Sequence, residues 1–190
     1  MRVIAGRAGG RRLAAPHGSA TRPTADRVRE ALFSILGPPG EDACVLDLFA
    51  GAGALGIEAL SRGAARAVFV DRSRTALRAL RRNLDDLDMA ELAEVHQDHA
   101  PRFAARLADA GGPAFTWIFL DPPYASDLGA AAMSELGRSA GLLAAGGVVV
   151  LEHDRRRPPH DRDGYLVKAD CRRYGDTELS FYQADVHGVS

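Results

Sequence analysis

The chain has 190 residues, of which 46% are hydrophobic and 26% charged, and its net charge is −1. That is enough for one soluble domain with a buried core, and no run approaches the ~20 apolar residues of a membrane span. Cys44 and Cys171 lie far apart without metal-ligand spacing, which excludes a disulfide scaffold and points to a cytoplasmic protein with reduced thiols.

The first thirty residues carry seven arginines against Asp26 and Glu30, so the small net charge hides a basic N-terminus. Arg2-Val3-Ile4-Ala5 and Arg11-Arg12-Leu13-Ala14 read as two short strands around the turn Gly6 to Gly10. A basic hairpin of this kind, standing off the rest of the protein, suits phosphate. Arg2, Arg7, Arg11, Arg12, Arg22 and Arg27 are the candidate RNA contacts, because arginine forks onto phosphates and stacks on bases. Residues 16–23 form a linker rich in Pro, Gly and Ser. Thr24 is positioned to cap a helix whose apolar stripe is Val28, Ala31, Leu32, Ile35 and Leu36. Three segments result: a hairpin with its linker over 1–23, one domain over 24–183 and a loose tail over 184–190.

From Cys44 onward strands and helices alternate. The apolar run 45–50 leads into Gly51-Ala52-Gly53-Ala54-Leu55-Gly56, a strand, glycine loop and helix of the kind that cradles nucleotides in doubly wound sheets. The strand 67–70 ends on Asp71, the segment 93–96 is followed by Asp98, and the helix 74–87 pairs a leucine stripe with an arginine face. The glycine pattern with its acid also fits a nicotinamide enzyme. Asp47, just before the glycines, discriminates: a carboxylate is awkward beside a diphosphate and favourable beside the ammonium and sulfonium of S-adenosylmethionine. Asp47, Phe49, Ala50, Gly51, Gly53, Asp71 and Asp98 are therefore the candidate cofactor residues. In this scheme Asp71 accepts from a ribose diol and Asp98 from an adenine amine.

The run Phe115 to Leu120 is another buried strand, and it ends on Asp121-Pro122-Pro123-Tyr124. The prolines fix φ and remove two backbone donors, so carbonyl acceptors should face outward beside the Asp121 carboxylate and the flat face of Tyr124. Such a shelf suits a planar base with an exocyclic amine, and these four residues are the candidate catalytic set. A strand over 148–151 and a closing hairpin, 165–168 with 177–182, complete an α/β plan: a seven-stranded, mostly parallel sheet with an antiparallel C-terminal hairpin. The six histidines include His96 and His99 around Asp98, but they form no metal set, and no metal is expected.

The chain resembles the RsmD-type 16S rRNA guanine-N2 methyltransferases over almost its whole length. The carrying segments are Arg2 to Gly6 with Gly10 to Leu13, Arg22-Pro23-Thr24-Ala25-Asp26-Arg27-Val28-Arg29-Glu30-Ala31-Leu32-Phe33, Leu46 to Gly56, Glu58 to Ala64, and the Asp-Pro-Pro-Tyr shelf. The resemblance implies a Rossmann-like class I fold, S-adenosylmethionine as donor, and the N2 amine of one guanine in 16S rRNA as acceptor. It further implies a partly or fully assembled small ribosomal subunit as partner and action as a monomer. The family pattern often has Thr or Ser where this chain has Ala25 and Ala52, both small-for-small changes. An adenine-N6 methyltransferase acting on DNA or RNA uses a similar shelf, and an RNA-binding assembly factor with incidental catalysis is a further alternative.

Overall fold

Apolar runs bounded by turn residues become strands covered on both faces. The computed structural model describes residues 1–15, 23–123 and 126–185. It comprises two compact units, Met1–Gln97 and Asp98–Ser190.

The first unit contains α1 (Pro23–Leu36), β1 (Cys44–Asp47), α2 (Ala54–Ser61), β2 (Arg66–Asp71), α3 (Arg74–Asp86) and β3 (Ala93–Gln97). β2 pairs in parallel with β1 and with β3, in register Asp47↔Phe69 and Asp71↔Gln97. Val45, Leu46, Ala67, Val68, Phe69 and Val70 are buried, whereas β3 keeps the exposed Glu94 and Gln97. β1 stops three residues short of the expected run because Leu48 to Ala50 already belong to the glycine turn, where the Ala50 N–H bonds to the Val70 carbonyl at 3.0 Å.

α1 opens at Pro23, one residue before the expected cap, as suits a residue without an N–H. Its core-facing side differs from the expected stripe. Phe33 is buried beneath the Arg62 guanidinium, 4.9 Å from the ring centre, while Ile35 is 44% exposed. α3 is capped by Ser73, whose hydroxyl accepts from the Ala76 N–H, and it buries Leu77, Leu80 and Leu84.

The basic N-terminal segment does not stand off the protein. The expected hairpin is present in short form, as the antiparallel bridge Arg2↔Arg12 with the bonds Val3 N–H to Arg11, Gly10 N–H to Val3 and Leu13 N–H to Met1, and its residues are bound along α2 and α3. The fully buried Glu58 accepts from the Ile4 and Ala5 N–H groups at 2.7 and 3.0 Å. Ser61 accepts from Ala8 and donates to the Ala5 carbonyl. Asn83 donates to the carbonyls of Ala14 and Ala52 and accepts from the Ala14 N–H. The few bonds across so short a hairpin leave other backbone groups unpaired, and these side chains take them up.

The second unit contains α4 (Ala100–Ala110), β4 (Phe115–Leu120), α5 (Leu128–Leu136), β5 (Leu143–Asp154), β6 (Arg162–Asp163), β7 (Leu166–Tyr174) and β8 (Thr177–Ala184). β4 and β5 are parallel, and β8, β7 and β6 follow antiparallel to one another, beginning with β8 against β5. The result is a mixed α/β fold with parallel strands and an antiparallel C-terminal hairpin. It has eight strands among the described residues rather than seven, the two-residue β6 being the addition. β5 starts before Gly146-Gly147 and absorbs them at a register shift opposite β4. Of the expected tail, Ala184 closes β8, and residues 186–190 lie outside the described residues. Asp185 is held by its N–H to the Tyr165 carbonyl at 2.7 Å and by Arg162 on its carboxylate. Among the described residues no helix is long and apolar enough to cross a membrane.

Candidate active site

Asp47 is the last residue of β1, and the strand carries its carboxylate into the interior at 1% exposure. Oδ2 accepts from the Gly56 N–H at 3.0 Å, but Oδ1 has no hydrogen-bond partner among the described residues. Burial pushes this carboxyl up to about 7, opposed by the backbone N–H groups of Gly56 and Phe49 and reinforced by the nearby Asp71 charge. A buried, half-satisfied carboxylate is expensive unless something else completes it.

The loop after Asp47 is drawn tight by the Gly53 N–H on the Ala50 carbonyl at 2.7 Å. Gly51 and Gly53 adopt φ of 55° and 90°, which side chains rarely tolerate. Gly56 serves packing instead, since a Cβ there would lie 2.2 Å from the Phe69 ring. Phe49 is half-buried and Ala50 buried. Asp71 ends β2 and closes the loop from the other side. One of its oxygens accepts from the Gly51 N–H at 2.8 Å and the other from the Ser73 N–H at 2.7 Å.

In the second unit, Asp98 is buried, and both oxygens are engaged by the start of α4. Oδ1 accepts from the His99 N–H and Arg102 Nε, each at 2.7 Å, and Oδ2 from Arg106. Burial raises the carboxyl, but hydrogen bonds from Arg106, His99 and Arg102 outweigh it and hold the group at about 2. Arg102 Nη2 also contacts Oδ1, so the carboxylate is held by two guanidiniums and one backbone N–H.

Asp121 follows β4 directly and is exposed, with Pro122 buried beneath it and Pro123 exposed. The Pro123 carbonyl, expected to face outward unpaired, instead accepts from the Ser126 N–H and hydroxyl at 3.0 and 2.7 Å. The turn that leads into α5 thus consumes one of the shelf's acceptors. Both prolines line a cavity of about 240 Å³ together with Met133, Leu151, His153 and Asp163. Tyr124 lies outside the described residues, as does Arg22. Arg2, Arg7, Arg11, Arg12 and Arg27 are all exposed, and Arg11 donates to the Asp86 carbonyl at 2.6 Å.

With the site in view, the comparisons with known proteins decide the family. The family model described as "Conserved hypothetical protein 95" matches residues 1–183. The chain belongs to the RsmD family. The "Putative rRNA methyltransferase YlbH" of Bacillus subtilis is 40% identical over 183 residues, 96% of this chain and 98% of that one. The "Ribosomal RNA small subunit methyltransferase D" of Escherichia coli K12 is 44% identical over 124 residues, 65% of this chain and 60% of that one. Among solved structures, the "Putative methyltransferase yhhF" of Escherichia coli gives a TM-score of 0.81 at 34% identity, covering 97% of this chain and 98% of that chain.

In this RsmD-family chain, sequence reasoning missed Glu58, Ser61, Asn83 and Arg29. Arg29 is buried and reaches the Arg2 carbonyl and, at 3.1 Å, Asp26. Glu58 left a signal: it is the one charged residue in the otherwise apolar helix Ala54–Ser61, and a charge on a buried face needs partners. His153, unassigned by sequence, places Nε2 2.9 Å from the Ser180 hydroxyl. Its side chain lies with Cys171 and Glu178 in a cluster whose possible ligand atoms fall within 4.8 Å of one another.

Proposed function

We propose that the protein transfers a methyl group from S-adenosylmethionine to the exocyclic N2 amine of a guanine in the 16S rRNA of the small ribosomal subunit. The observation that carries the donor is the orphaned Asp47 Oδ1, a buried anionic acceptor at the end of β1 that fits a cationic ammonium. Gly51 fits the same guest, because nothing lies within 4 Å of the point where its side chain would begin. Asp71 offers the remaining lone pairs of its two oxygens to a ribose, and Asp98 serves as acceptor for an adenine amine. That the acceptor is rRNA is supported by the relatives named as rRNA methyltransferases, and the guanine N2 amine is what the resemblance to the RsmD-type enzymes implies.

When bound, the donor supplies an electrophilic methyl and its own leaving group. The protein's task is to present the amine. A guanine amine is conjugated with its ring, so its lone pair is poorly available. Acceptance of its N–H groups by Asp121 and the Pro122 carbonyl favours a pyramidal nitrogen and a near-attack geometry. Pro123 holds the turn, and Tyr124 is the stacking face for a base flipped out of its loop. The proton leaves after transfer, so no strong general base is required. Arg2, Arg7, Arg11, Arg12, Arg22 and Arg27 serve as phosphate contacts.

Asp47 makes donor binding pH-dependent. Burial pushes its carboxyl up to about 7, and a neighbouring ammonium favours the ionised form. Binding must therefore release a proton below that pH, and affinity falls by about tenfold per pH unit on the acid side and levels off above it. Titration calorimetry with S-adenosylhomocysteine between roughly pH 5.5 and 8.5 reads this directly. A flat profile in the unaltered protein excludes the Asp47–ammonium pairing, and Asp47→Asn should bind weakly without the slope.

The function itself is tested by tritium transfer from labelled S-adenosylmethionine to small ribosomal subunits lacking their methylations, followed by nucleoside analysis. The expected product is N2-methylguanosine. Label in N6-methyladenosine overturns the acceptor, and absence of label overturns the reaction.

A further inference from the structure

α3 carries its charges in an order that opposes helix stability. Arg74, Arg78, Arg81 and Arg82 occupy the first nine positions, and Asp85 and Asp86 the last two. The helix has no acid in its first turn and no base in its last, the reverse of what the helix dipole favours. Arg74 with Arg78, and Arg78 with Arg82, are like charges four residues apart, which repel on a helix surface. Arg82 has one relief, a 3.6 Å pair with Asp86 in which both groups are well exposed. Arg74, Arg78 and Arg81 have no ion-pair partner among the described residues. All three are exposed, and with Thr75, Leu77 and Gln97 they line a surface concavity.

A ridge that costs its own helix stability is explained by an anionic partner that completes it. The chemistry favours phosphate over protein. The face offers arginine forks, a hydroxyl and an amide, and none of the exposed aromatic anchors that mark protein interfaces. Residues four apart rise about 6 Å along the axis, so the arginines present a row of separate charges rather than one cluster. The same helix also carries the N-terminal arm: Arg11 donates to the Asp86 carbonyl at its C-terminal end, and Asn83, on the buried face opposite the arginines, holds Ala14 at both its N–H and its carbonyl.

We propose that the outer face of α3, through Arg74, Arg78 and Arg81, binds the phosphate backbone of the RNA substrate and extends the surface begun by the N-terminal arm. This rests on the rRNA methyltransferase reading above. The test is the affinity for small ribosomal subunits across a potassium chloride series, comparing the unaltered protein with R74Q/R78Q/R81Q and with R74K/R78K/R81K. The glutamine variant should bind more weakly at low salt, with the slope of log affinity against log salt smaller by about 2, as for three lost phosphate contacts at about 0.7 each. Its affinity for S-adenosylhomocysteine should be unchanged, and its Tm equal or higher, because repulsion has been removed. The lysine variant should keep most of the slope.

A glutamine variant with the unaltered slope overturns the proposal. So does a lysine variant as defective as the glutamine one, since that would trace the effect to shape rather than charge. Methyl transfer by the unaltered protein separates the two readings. Transfer to rRNA with no effect of the glutamine variant sinks this surface alone. Neither transfer nor subunit binding sinks the function and the surface together.

Discussion

Asp121→Ala lowers the single-turnover rate of methyl transfer by about 100-fold or more while leaving S-adenosylhomocysteine binding intact. The magnitude follows from losing one preorganised polar contact at a reacting centre. Asp121 can be preorganised because of what precedes and follows it. Phe115, Ile118, Phe119 and Leu120 are buried to 1% exposure or less, which fixes the strand, and Pro122 locks the next φ. The carboxylate thus leaves a rigid strand end rather than a mobile loop. Asp121→Asn keeps an acceptor oxygen without the charge and should recover part of the rate. An alanine variant that transfers at the original rate under single-turnover conditions removes Asp121 from the chemistry. A variant that loses S-adenosylhomocysteine instead would make it a donor-binding group.

The second large effect is on stability. Glu58→Ala should destabilise the protein by about 3–5 kcal/mol, the range for removing one member of a buried charged pair. The carboxylate is wholly buried and accepts from the Ile4 and Ala5 N–H groups and from Arg62 Nε at 2.8 Å. Alanine leaves those donors without an acceptor and leaves Arg62 uncompensated over the Phe33 ring. Glu58→Gln preserves the shape and one acceptor, so it should fall between. Urea denaturation gives the free energies, and limited trypsin digestion reports the arm separately, through earlier cleavage at Arg7, Arg11 and Arg12. A loss below about 1 kcal/mol with an unchanged digestion pattern rules out the anchoring role.

These two residues also mark how far the sequence could be read. Asp121 was legible because its signal is local: a six-residue run apolar but for Thr116, an acid and two prolines define a strand and its rigid end within ten positions. β4 was found at its observed bounds, and α3 within one residue, for the same reason. Glu58 could be seen as an anomaly, but its partners are 53 and 54 residues away. Asn83, in the middle of an ordinary amphipathic helix, gave no sign that it would join Ala14 and Ala52. The Pro123 carbonyl was misjudged because the Ser126 turn that captures it depends on how the chain enters α5.

The sequence by itself determined the alternation of strands and helices, the glycine turn after β1, the position of Asp47 and Asp71 at strand ends, and the place of Asp121 directly after β4. Hydrophobic period and the restricted dihedrals of glycine and proline act over a few residues, so they are written in a few residues. Only the tertiary structure decided that Asp47 would be buried with one oxygen unmet, that Asp98 would be held by two arginines, and that the basic arm would be bound along α2 and α3 rather than free. Burial and hydrogen-bond pairing depend on which distant segments the fold brings together: burial pushes the Asp47 carboxyl up to about 7, whereas hydrogen bonds from Arg106, His99 and Arg102 hold that of Asp98 at about 2.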